Sequence, residues 1–353
     1  MATIRDIAAA VGVSSGTVSR VLNNDPSLSI SQARRETIVA TAQELGYATP
    51  RSRYRASKIA PLAGRKGGVQ ARIALLHFLT SEQELFDPYY VGVRLGIERR
   101  CAENGLEIGR VFTPLSPWNV KDHGAMPGAI VIGKHGRGEI AALSAHCPQV
   151  VFADVDPHLA QHDCVAADLA MATRQILDGL WSVGYRRIGF IGCNELMDGN
   201  SEPYTEMRCR AYLDWMKAKN ALDPALLALG EGREWGHNLR LEVGYEQAGR
   251  LLALPVRPDA ILAANDNMAI GAYRAIQEEG LTIPAHIALA SFNNIPVTEF
   301  LNPTLSTMDI PGDSIGEAAV DLLVERLMGR TYSKHVTIPT RMRWRDSCRH
   351  PAG

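Results

Sequence analysis

Thr3-Ile-Arg-Asp-Ile-Ala-Ala-Ala-Val-Gly-Val-Ser-Ser-Gly-Thr-Val-Ser-Arg-Val-Leu-Asn23 decides how the amino-terminal end folds. Ile4, Ile7 and Ala8 recur at helical spacing behind Thr3, a suitable N-cap, so a short helix is expected over residues 3–10. Gly12 ends it. Ser14 then caps a second helix, Ser15 to Leu22, with Val18, Val21 and Leu22 turned inward. A third helix is expected from about Ser31, burying Ile38, Ala42 and Leu45 and stopping at Gly46. Two helices across a tight glycine turn, braced by a third, make the helix-turn-helix arrangement, which lays its second helix in the major groove of DNA.

The polar face of that second helix carries Ser15, Gly16, Ser19 and Arg20. Small residues let backbone approach base edges, and free amides at a helix start hold a phosphate. Arg20 is the one long side chain there, suited to a bidentate contact with guanine. A mid-helix glycine costs about 1 kcal/mol against alanine, which points to a close approach at Gly16.

Thr3 to Asn23 resembles the amino terminus of the lactose/galactose repressor family of bacterial transcription regulators, and the resemblance covers nearly the whole chain. Asn24-Asp25-Pro26 and Asp87-Pro88-Tyr89-Tyr90 place it nearest to members that repress β-galactosidase operons. Membership implies a helix-turn-helix head, a hinge, and a bilobed, periplasmic-binding-protein-like α/β body of two doubly wound parallel sheets that dimerises and holds a small sugar between its lobes. DNA contacts are then expected from Thr3, Ser14, Ser15, Gly16, Thr17, Ser19, Arg20 and Asn23 in the head, and from Arg51, Arg53, Tyr54 and Arg55 in the hinge. In the family the hinge becomes helical on operator DNA and wedges a leucine into the minor groove. Here no Leu occurs between Tyr47 and Leu62, and Tyr54 and Ile59 are the nearest bulky residues.

Charge agrees with a nucleic-acid partner for one end only. The chain of 353 residues has a net charge of −1. Residues 1–66 alone hold ten Lys/Arg against four acids, a balance of +6 that leaves −7 for the rest. Six scattered cysteines form no C-x-x-C pair, so neither a disulfide framework nor a zinc site is expected. His158 and His162 stand four apart, but without a third ligand they read as solvated loop residues. The lack of an apolar leader or membrane-spanning run indicates a cytoplasmic protein, on the nucleoid when bound to its operator. No nucleophile elbow, acid–base pair or dinucleotide fingerprint is present, so neither catalysis nor a cofactor is expected.

Beyond the head, strands are expected at 72–78, 106–112, 128–132, 150–152, 164–166, 187–192, 260–263 and 287–292, alternating with helices at 90–104, 170–183, 210–220 and 268–279. Val91, Leu95 and Ile97 mark the apolar face of the first of those helices. The expected domains are a head, 1–48; a basic hinge, 49–70; one lobe, 71–163 plus 294–320; and a second lobe, 164–293 plus 321–346.

Ligands of open α/β sheets sit beyond the carboxyl ends of the strands. Asp87 and Tyr89 follow the first strand and Asp154 follows Val150-Val-Phe-Ala. Arg208 lies in the R-x-x-G/A-aromatic pattern, and Asn265 in the A-N-D motif, that the resemblance connects with effector binding. Asn293 follows Ala-Ser-Phe where many relatives carry Asp, and Trp235 lies where relatives stack an aromatic on the sugar. Carboxylate, amide and guanidinium groups hold paired hydroxyls, and an indole covers a sugar's C–H face. Asp266 has a second reading as a helix cap, and Trp235 as packing. The function expected is a homodimeric repressor of sugar-utilisation genes, released from double-stranded operator DNA by a small sugar. The alternative is a sugar-binding transport module, which has no use for Thr3–Asn23.

Overall fold

The computed structural model describes residues 3–22, 28–45, 47, 71–116, 126–196, 203–204, 206–232 and 240–349. Asn23, Gly46, Trp235 and the whole hinge, with Arg51, Arg53, Tyr54 and Arg55, lie outside the described residues.

The head is three helices, α1 (Ile4–Val11), α2 (Ser15–Leu22) and α3 (Gln32–Glu44). Thr3 and Asp6 cap α1 reciprocally: the Thr3 amide donates to Asp6 Oδ2 at 2.7 Å, and the Asp6 amide donates to Thr3 Oγ1 at 3.3 Å. Gly12, at φ 70°, turns the chain left-handed and ends the helix. Ser14 Oγ accepts the Thr17 amide at 3.1 Å and starts α2. Ile7, Ala8, Val18, Val21, Ile38 and Ala42 close the core between them. Leu45, expected inside, is 42% exposed. It follows the last residue of α3, where helical periodicity no longer governs direction.

The body holds two sheets. The first has strand order β12-β5-β4-β3-β1-β2, from β1 (Ala71–His77), β2 (Leu106–Phe112), β3 (Ala129–Ile132), β4 (Val150–Ala153), β5 (Asp163–Ala167) and β12 (His335–Ile338). The second runs β13-β11-β10-β9-β6-β7, with β8 paired to β6. Its strands are β6 (Ile188–Leu196), β7 (Pro203–Tyr204), β8 (Leu227–Gly232), β9 (Ala260–Ala263), β10 (Ala288–Asn293), β11 (Ser306–Asp309) and β13 (Arg341–Arg343). Parallel pairing joins β1, β3, β4, β5 and β12, and likewise β8, β6, β9, β10 and β11. Two antiparallel edges, β7 on β6 and β13 on β11, are additions to the purely parallel sheet expected. The inner strands β3, β4 and β9 are buried at every position, which is why they read as unbroken apolar runs.

The helices of the body are α4 (Ser81–Glu84), α5 (Pro88–Glu103), α6 (Arg137–Ser144), α7 (Leu169–Ser182), α8 (Met207–Ala218), α9 (Leu241–Leu252), α10 (Asp266–Glu278) and α11 (Gly312–Leu327). In α5 the buried stripe is Tyr89, Val93, Ile97 and Cys101, with Gly96. That stripe is two positions out of phase with the expected Val91 and Leu95, and Leu95 is 50% exposed.

The chain changes sheet three times: between Ala167 and Leu169, between Asp309 and Gly312, and between Ile338 and Arg341. These crossings move the lobe boundaries expected from sequence. Residues 164–167 complete the first sheet rather than open the second. Residues 294–309 remain with the second sheet, and 312–338 return to the first, where α11 packs on β3, β4, β5 and β12. Of 321–346, assigned to the second lobe from sequence, only 341–343 joins the second sheet. Alternation of strand and helix shows how many units there are but not which sheet each strand enters.

Candidate functional site

Two groups of residues carry the expected chemistry. In the head, Ser15, Gly16 and Arg20 lie exposed on α2, and Thr17 and Ser19 are half-buried beside them. Ser14 and Thr3 face solvent at the helix starts, where each also serves as a cap. Small residues line the start of α2 and a cation stands in its last turn, an arrangement chemically suited to an anion at the amides and to a base edge at the guanidinium.

In the body, Asp87 and Asp154 from loops after β1 and β4 meet Tyr89 and Arg208 from the first turns of α5 and α8. Asp154 ends β4 in a left-handed conformation, φ 66°, and its Oδ1 accepts the Tyr89 hydroxyl at 2.5 Å. Asp87 is 1% exposed; its Oδ1 accepts the Tyr89 amide at 3.0 Å, while its Oδ2 has no hydrogen-bond partner among the described residues. Burial pushes the Asp87 carboxyl up to about 7, and the fields of Asp154 and Asp266 push the same way. Burial likewise raises Asp154 above the usual carboxylate range.

Arg208 comes from the first turn of α8. Its Nε lies 2.9 Å from Glu206 Oε2, its Nη1 donates to the Ala264 carbonyl, and its guanidinium stands 5.4 Å from the Phe292 ring centre. Although burial works against the charge of Glu206, the guanidinium holds that carboxyl below its ordinary range. Arg208, Glu206 and Asn265 line one small hollow with Phe190, Cys193 and Met268. A second hollow, about 210 Å³, opens beyond β1, β2 and β3 and is lined by His77, Thr113, Lys134 and His135.

Asn265 is 3% exposed, and its Oδ1 accepts the Met268 amide at 2.8 Å. It is therefore the cap of α10, the role one reading gave to Asp266. Asp266 instead staples β10 and β11: its carboxylate accepts the Ser291 hydroxyl, the Thr307 hydroxyl at 2.7 Å and the Ile295 amide at 2.8 Å. Asn293 ends β10 at φ 107°, paired in register with Asp309, and no hydrogen bond ties it to the Asp154 and Arg208 groups. Tyr90, hydrogen-bonded to Asp154, Lys134, whose charge acts on Asp154 and Glu206, and Glu206 itself are not among the residues expected from the sequence. Tyr90 was legible beside Tyr89 in the Asp87–Tyr90 run, whereas Glu206 and Lys134 carry no local signal.

Residues 3–50 match the model described as "Bacterial regulatory proteins, lacI family", and residues 177–348 match "Periplasmic binding protein-like domain". Over 354 residues the chain is 35% identical to the HTH-type transcriptional repressor MelR of Bacillus subtilis (strain 168), spanning 99% of this chain and 98% of that protein. The chain belongs to the lacI family. This lacI-family member is thus a sequence-specific DNA-binding regulator of transcription. It is also 70% identical over 111 residues to the lactose operon repressor of Rhizobium radiobacter, 31% of this chain and 98% of that sequence. Its fold matches the structure titled transcriptional regulator CelR-cellobiose complex with a TM-score of 0.67 at 22% identity, covering 98% and 100% of the two chains. No helix among the described residues is long and apolar enough to cross a membrane.

Proposed function

We propose that this regulator represses sugar-utilisation genes as a homodimer and leaves its operator when a small sugar, a β-galactoside or close relative, binds at Asp87, Tyr89, Asp154, Arg208 and Asn265. The observation that carries this reading is the buried Asp87 carboxylate oxygen without a partner among the described residues, beside the Tyr89–Asp154 hydrogen bond on which the Arg208 guanidinium acts. A buried acceptor left open is costly, and a ligand hydroxyl satisfies it. Asn293 and Trp235 belong to the same proposal as flanking contacts. Residues 1–48 form the reading head, and 49–70 the basic hinge that adds phosphate contacts. The 70% match, which lies at the amino-terminal end, covers head and hinge and favours an operator of the kind that a lactose repressor reads. The protein works in the cytoplasm, on nucleoid DNA, and binds its sugar without turning it over.

One recognition helix reads only a few base pairs, so two copies on a pseudo-palindrome, one helical turn apart, supply specificity. A thousandfold loss of operator affinity requires about 4 kcal/mol of differential sugar binding between the two states. The test is operator binding by fluorescence anisotropy across a sugar panel, with Arg208→Ala alongside. The variant is expected to bind operator as the wild type does and to ignore every sugar. Normal release in Arg208→Ala removes that residue from the site; a transport module would bind sugar and ignore operator DNA.

A further inference from the structure

A mixed set of donor atoms that belongs to neither group described above converges on β5 and β12. β5 and β12 run parallel with His335 in register opposite Cys164. Paired residues of neighbouring parallel strands point to the same face, about 4.8 Å apart. The loop after β4 brings Asp156 to that pair, and a thiol sulfur, an imidazole nitrogen and a carboxylate oxygen all lie within 4.8 Å of one another. Asp156 stands between two imidazoles: its Oδ2 is 3.4 Å from Nδ1 of His335, and its Oδ1 is 3.5 Å from Nδ1 of His158. The His158 amide donates to the same Asp156 Oδ1 at 2.7 Å, which ties the backbone at His158 to that carboxylate.

His162 takes no part: its ring packs edge-on against Phe152, and its Nε2 is 3.5 Å from Ser144 Oγ. The partner of His158 is thus Asp156, two residues back in the same loop, and not His162 at i, i+4.

We propose that Asp156, Cys164 and His335 form a site for a divalent cation of the zinc class, with His158 as the fourth donor. Sulfur, imidazole nitrogen and carboxylate oxygen together are the ligand types of zinc, whereas magnesium and calcium take oxygen alone. Bond lengths of about 2.0–2.3 Å place tetrahedral ligands roughly 3.3–3.8 Å apart, so side-chain adjustments of about 1 Å close the spread of Asp156, Cys164 and His335, and the exposed His158 side chain turns in to complete the set. Cys164 is 3% exposed and walls the inner side, while His335 and His158, with side chains 44% and 81% exposed, leave an entry path from solvent. On binding, the thiol gives its proton to solvent and sulfur donates as thiolate. The bound ion would clasp the edge strand β12 and its neighbour to the loop after β4. The site stands independently of the sugar-binding reading.

The test adds Co²⁺ to the metal-stripped full chain, where thiolate ligation gives a sulfur-to-metal absorption band. The expected result is a band that saturates at one equivalent and is lost in Cys164→Ser. His335→Ala and Asp156→Asn are each expected to weaken Zn²⁺ binding at least about tenfold in competition with a chromogenic chelator. Because Cys164 is buried, the exposed His335 gives a second arm: Zn²⁺ should raise the Tm of the wild type and leave that of His335→Ala unmoved. No band in the folded wild-type chain, or a band that survives in Cys164→Ser, overturns the proposal.

Discussion

At Gly16 an added Cβ would meet only Ser14 Oγ, at 3.7 Å, an ordinary contact. Packing within the head does not demand glycine there, and helix propensity disfavours it. Gly16→Ala is therefore expected to stabilise the head by up to about 1 kcal/mol while weakening operator binding. Thermal unfolding and anisotropy on the same variant read both effects; unchanged operator affinity would show that DNA does not approach this turn. Asp87 supports a pH prediction. Its folded pKa is raised to about 7 from an ordinary value of 3.8, so it contributes stability below about pH 4 and loses it as pH rises towards 7. Relative to Asp87→Asn, the wild type should gain on the order of 2 kcal/mol between pH 7.5 and pH 5. Denaturant midpoints at the two pH values check this, and parallel curves for the two proteins would count against it.

Among elements, α11 is held to the first sheet by a buried ion cluster. Asp163, 0% exposed at the start of β5, accepts Arg326 Nη2 at 2.9 Å, Arg330 Nη1 at 3.1 Å and the Lys334 amide at 2.8 Å. Burial opposes its charge, but the two guanidinium groups outweigh that and hold its carboxyl below the usual range. Asp163→Asn leaves two largely buried cations short of a counter-charge and should cost about 3–5 kcal/mol, read as a lowered Tm. What could be read in the sequence follows the range of each interaction. The caps at Thr3 and Ser14 use partners three residues away, so local pattern shows them; Asp87 and Asp154 stand out by their places after strands, and Arg208 through the family resemblance alone. The staple at Asp266 joins Ser291 and Thr307, residues 25 and 41 positions further on, and no local pattern announces it. Cys164 and His335 are further apart still and meet only because β12 takes the edge of the first sheet.

For the whole molecule, the +6 balance over residues 1–66 against −7 elsewhere places the affinity for DNA at one end. The logarithm of operator affinity should fall linearly with the logarithm of salt concentration, with a slope of about −0.9 for each phosphate contact. Anisotropy titrations between about 50 and 200 mM salt measure the slope, and a flat response contradicts the electrostatic reading of head and hinge. The three sheet crossings, at 167–169, 309–312 and 338–341, also bear on how the protein is made. Among the described residues the last strand of each sheet lies within 335–343, so on the ribosome neither lobe has its full complement of strands until those residues have emerged. A nascent chain stalled before residue 335 would display two unfinished β-edges at once, and both lobes then close within nine residues of each other.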